Sequence, residues 1–71
     1  MATQDVITIP FDMPRNEWSA FAQFCKRVDY GTCTRLASPT TTYNGRVEGD
    51  VMWSAVCMLQ RQLAEAGFAP R

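Results

Sequence analysis

The segment "DVMWSAVCMLQRQLAEAGFAPR", residues 50–71, constrains this chain more than any other. Its residues 51–66 read as one helix that is apolar around most of its circumference. Wound at about 100° per residue, Met52, Ala55, Val56, Leu59, Leu63 and Ala66 form one stripe, the expected core face. Trp53, Cys57 and Ala64 make a second apolar patch to one side, and Val51 and Met58 lie on the opposite flank. Only Ser54, Arg61 and Glu65 form a firmly polar strip, with Gln60 and Gln62 at the edges of the core stripe. A helix apolar on nearly all sides needs cover on nearly all sides. In 71 residues there is little chain to supply it.

Chains this short gain roughly 3–5 kcal/mol from their own core and are often completed by disulfides, a metal or self-association. Two readings of the surplus apolar surface stay open. Either the rest of the chain wraps it in a compact monomer, or Trp53 and Met58 belong to an interface with a second copy or another protein. Aromatic residues, Met and Arg are the types enriched in interface cores. The interface reading is preferred, with a homodimer as its commoner form.

The remaining elements follow from pattern and punctuation, and they make one small domain over residues 1–71. Residues 5–13 alternate, with Ile7, Ile9, Phe11 and Met13 on one side. That is a half-buried strand, but Pro10 restricts it to an edge strand or an extended arm. Residues 14–28 are a helix: Trp18, Phe21, Ala22, Cys25 and Val28 recur on one face, with Phe24 beside them. Pro14 suits its first turn, Glu17 the positive end of its dipole, and Lys26 and Arg27 the negative end. Residues 29–37 are a short helix or turn that Asp29 could cap. Residues 38–49 are read as a polar loop with Tyr43, Asn44 and Arg46 at its tip, a hairpin through Asn44-Gly45 being the alternative. In the last helix Asp50 is the expected N-cap, and Gly67 the C′ residue that lets Phe68 fold back onto Leu63. Pro70 forbids continuation. The fold class is therefore mainly α, with an N-terminal arm and two main helices.

Seven basic and seven acidic residues cancel, and six of the seven bases are Arg. A neutral chain lacks the phosphate-neutralising charge that dominates nucleic-acid affinity. There is no histidine, so the commonest general base and a major metal ligand are missing. Cys25, Cys33 and Cys57 lack zinc spacing, and no phosphate-loop or dinucleotide fingerprint occurs. No enzyme, cofactor or metal is expected. The first residues do not resemble a signal peptide, and no stretch reaches the roughly 20 apolar residues of a membrane span. A cytoplasmic protein with reduced thiols is expected.

"FAQFCKRV" (21–28) and "LQRQLAEAGFAPR" (59–71) resemble short, largely uncharacterised proteins of proteobacterial prophages and conjugative plasmids. Those combine an AQF-x-KR helix with an LAEAGFAPR-like terminal helix. The resemblance implies a mobile-element origin, and by analogy a protein that binds and blocks a host protein, as anti-CRISPR and other anti-defence proteins do. It carries over no functional residue. The expected function is thus protein binding, with Trp53, Met58 and Arg61 on the last helix and Tyr43, Asn44 and Arg46 at the loop as candidate contacts. The alternative is a dimeric ribbon-helix-helix-like DNA-binding regulator. It suits the order of elements, but the outer face of its strand would offer Val6, Thr8, Pro10 and Asp12, which read base edges poorly.

Overall fold

Pro14 begins the first helix from just outside it. The computed structural model describes residues 6–68, and in it Pro14 is the N-cap of α1 (Arg15–Arg27), with φ −55° and ψ 150°. Its carbonyl accepts from the N–H groups of Glu17 and Trp18, each at 3.0 Å. Lys26 and Arg27 occupy the last turn, as the dipole favours. Val28 turns extended, and so does Asp29, which caps α2 (Tyr30–Leu36). The Asp29 carboxylate accepts from the Thr32 N–H and hydroxyl, both at 2.7 Å. These bonds hold its pKa below the usual carboxylate range and resolve residues 29–37 as a helix.

Two strands of two residues follow, β1 (Thr42–Tyr43) and β2 (Arg46–Val47), paired antiparallel with Tyr43 opposite Arg46. Asn44 (φ 51°) and Gly45 (φ 80°) are both left-handed. A two-residue loop between twisted strands requires this of both central residues. The hairpin thus replaces the unstructured tip expected within residues 38–49. Glu48 fastens it: one carboxylate oxygen accepts from the Ser38 N–H at 2.7 Å, the other from the Tyr43 hydroxyl at 3.0 Å.

Helix α3 (Glu48–Glu65) therefore starts three residues before the expected Val51. Asp50 is not its cap. It sits in the first turn and accepts the Tyr30 hydroxyl at 2.5 Å, tying α2 to α3. The far end is the expected Schellman ending. The Phe68 N–H bonds to the Leu63 carbonyl at 2.8 Å and the Gly67 N–H to the Ala64 carbonyl at 3.1 Å, with Gly67 at φ 95°. The expected arm carries no strand over residues 6–13, because the two-stranded sheet contains only the hairpin. Asp5, at the start of that arm, and Pro70, the expected stop, lie outside the described residues.

Helix α3 packs against α1, α2 and both strands, while α1 and α2 do not pack on each other. Ala22, Cys25 and Leu63 form the buried cluster, with Trp18, Phe21 and Phe68 packed around it. Cys33 is buried on α2. The face that α3 turns inward keeps Met52, Val56 and Leu63 of the apolar stripe read in the sequence but is shifted to one side of it. Gly49 and Leu63 are buried, and Trp53, Val56 and Gln60 between them are half-buried. Ala55 and Ala66 of the expected core stripe are exposed, and Leu59 is 42% exposed.

Two local demands set this register. At Gly49 a Cβ would stand 3.1 Å from the Thr34 Cα, so α2 approaches α3 where there is no side chain. At Gln60, Nε2 donates to the Cys25 carbonyl at 2.5 Å. That carbonyl lies in the last turn of α1, where carbonyls lack partners within the helix.

The same packing grades the three thiols. Burial raises the Cys25 pKa, Cys33 is buried, and Cys57 is half-buried. Since the thiolate is the reactive form, a disulfide reagent should modify one equivalent in the native protein, at Cys57. Peptide mapping checks the site. Equal modification of all three thiols before unfolding would contradict the packing.

Candidate protein-binding surfaces

Bringing α1 beside α3 leaves an apolar groove. Trp18 and Phe21 of α1 form one wall and Leu59 of α3 another, and the preceding segment contributes Ile9, Phe11 and Met13. The open volume is about 360 Å³. Phe11 meets Trp18 edge-on at 5.9 Å between ring centroids, and Trp18 meets Phe21 at 6.3 Å. Phe24, 61% exposed, stacks on Phe21 at 6.2 Å and prolongs the aromatic row along α1. Phe68 closes the far side against Trp18, with the Arg15 guanidinium 5.5 Å from its ring centroid. Ile9 is 75% exposed, so the groove is open towards solvent.

The groove residues were not among the contacts expected from the sequence. Their signal was present in two halves. The alternation through Ile7, Ile9, Phe11 and Met13 demanded a buried side, and Pro10 barred the segment from the interior of a sheet. Leu59 sat in the middle of the stripe assigned to the core.

The six sequence candidates fall into three places. Met58, 63% exposed, and the exposed Arg61 lie on the outer side of α3, away from Gly49 and Leu63. Trp53 stands apart from them, half-buried on the inward side. Tyr43, Asn44 and Arg46 are brought together on the hairpin and are all exposed.

Both tyrosines donate to carboxylates. The hydrogen bond to Asp50 raises the Tyr30 pKa, and that to Glu48 raises the Tyr43 pKa. A raised folded-state pKa stabilises the fold below the unfolded tyrosine value, about 10, and that contribution is lost as pH rises through the folded value. These are the only two tyrosines in the chain. The phenolate absorbance of the native protein should therefore titrate at higher pH than that of the protein in urea, with stability falling across the native transition. Coincident curves would show that neither hydroxyl is held.

Among the described residues, no group of three or more Cys, Asp or Glu is placed to hold a metal ion. No helix among them is long and apolar enough to cross a membrane. No curated protein and no solved structure matches this chain. The sequence as a whole does match one family across residues 1–71, and the chain belongs to it: the Family of unknown function (DUF7706).

Proposed function

We propose that this chain is a non-catalytic protein-binding module carried by a phage or plasmid, acting in the bacterial cytoplasm to inhibit a host protein. The observation that carries the reading is Met58, a large apolar side chain 63% exposed on the outer side of α3 with the exposed Arg61 on the same side. Met adapts to irregular partners, and Arg offers a planar fork for backbone or carboxylate acceptors. The hairpin contributes Tyr43, Asn44 and Arg46 as a second contact, presented on a turn whose geometry Asn44 and Gly45 fix. The absence of histidine supports a role in contact rather than in catalysis.

A tagged chain and its Met58→Asp/Arg61→Glu variant, used as baits in nuclease-treated bacterial lysate, test this reading. The wild type should retain one host protein in near-stoichiometric amount at both low and high salt, and the double variant should lose it. Recovery of nucleic acid whose retention falls steeply with salt would favour the ribbon-helix-helix-like regulator instead.

A further inference from the structure

We propose that a second copy of this chain covers the groove between the N-terminal segment, α1 and α3. Surface area carries the argument. A globular monomer of 8.0 kDa exposes about 4,500 Å², whereas this chain exposes 6032 Å². The described part of that excess lies on the segment 6–13, which is itself a wall of the groove: Ile9 and Phe11 are 75% and 64% exposed there, and Phe24 beside it is 61% exposed. A dimer seam of standard size asks each protomer for about 800 Å².

The radius of gyration agrees: 13.9 Å, against about 11 Å for a compact domain of 71 residues. Among the described residues no side chain is completely removed from solvent, and two of the four buried apolar residues are cysteines. A core this thin needs cover whenever the chain is folded. A second copy meets that need, being made wherever the first one is.

The chemistry of the face suits self-association. Its lining is wholly apolar, so no charged side chain must be desolvated there. The chain has no net charge, so two copies do not repel each other as a whole. An isologous contact needs projections and a hollow on the same patch. Ile9, Phe11 and Phe24 supply the projections, and the space between Trp18, Phe21 and Leu59 the hollow. Leu59, 42% exposed at the groove, is the contribution of α3 to the seam. This assignment is independent of the partner proposed for Met58, which lies on another side of α3.

Light-scattering mass, measured from about 1 to 100 µM with circular dichroism on the same samples, tests the proposal; dimers of this interface class reach micromolar affinity or better. Three proteins are compared: wild type, Ile9→Asp and Met58→Asp. Ile9 is exposed in the single chain, so its substitution removes no buried contact there. The expected result is twice the chain mass for wild type and Met58→Asp, with association weakened at least 100-fold by Ile9→Asp. Helix content lost by Ile9→Asp at low concentration and regained at high concentration would also support a seam required for folding. A wild-type monomer with full helix content at the highest concentration would overturn the proposal. So would a dimer that survives Ile9→Asp but is broken by Met58→Asp, or a monomer that captures a different protein through Ile9.

Discussion

Replacing Leu63 with alanine should unfold the isolated chain. Leu63 is 6% exposed and is the only large aliphatic side chain in the buried cluster, where it meets Ala22 and Cys25 beneath Trp18, Phe21 and Phe68. Truncating a buried leucine costs about 2–5 kcal/mol, depending on how far the site collapses. The whole core of a chain this size is worth roughly 3–5 kcal/mol, so the loss is comparable to the total. The helix itself keeps its C-terminal bonds, since Leu63 contributes those through its backbone carbonyl. The effect therefore belongs to packing. Helical circular dichroism at 25 °C should collapse for Leu63→Ala, and Leu63→Met, which conserves volume, should stay folded at a cost under about 1.5 kcal/mol. A folded Leu63→Ala with a wild-type melting curve would place the core elsewhere.

Gly49→Val should be the second most damaging change. The atom nearest a new Cβ at this position is the Thr34 Cα at 3.1 Å, followed by Thr34 Oγ1 at 3.5 Å and N at 3.6 Å. Thr34 lies on α2, and its backbone cannot rotate away as a flexible side-chain end could. Alanine alone asks for a few tenths of an ångström and regains about 1 kcal/mol of helix propensity, so Gly49→Ala should be close to neutral. The two further methyl groups of valine must separate the helices, and overpacking of that kind costs about 1–3 kcal/mol. The separation would also strain the Tyr30 hydrogen bond to Asp50, one residue further along α3. Denaturant midpoints for the series glycine, alanine, valine check this. A midpoint for Gly49→Val equal to that of Gly49→Ala would mean the helices do not meet there.

Much of the fold was legible because punctuation residues act locally. Pro14, Asp29 and Gly67 each mark a helix boundary through their own backbone geometry or a bond to a near neighbour. Asn44 and Gly45 are of the same kind, and the hairpin they form was readable as an alternative. The inward face of α3 was legible only in part. Periodicity counts apolar side chains, so it took in Ala55, Leu59 and Ala66 beside Met52, Val56 and Leu63, and only the last three face inward. The structure rotates the helix by about 70° from that stripe, because Gly49 permits the closest approach to α2 and Gln60 satisfies the Cys25 carbonyl. A glycine adds nothing to an apolar pattern, and a glutamine subtracts from it. Leu59, assigned to the core by that pattern, is the residue of α3 that borders the groove, which is why the candidate contacts omitted it.

On the proposal made above, α3 is apolar on several sides because one side closes the chain's own core and another closes against a second copy. Denaturant unfolding followed at protein concentrations spanning about 100-fold tests this most directly, since the stability of an obligate dimer cannot be separated from protomer concentration. The midpoint should climb steadily with concentration. A midpoint independent of concentration, with the 5 kcal/mol or so of an ordinary stable monomer, would contradict it.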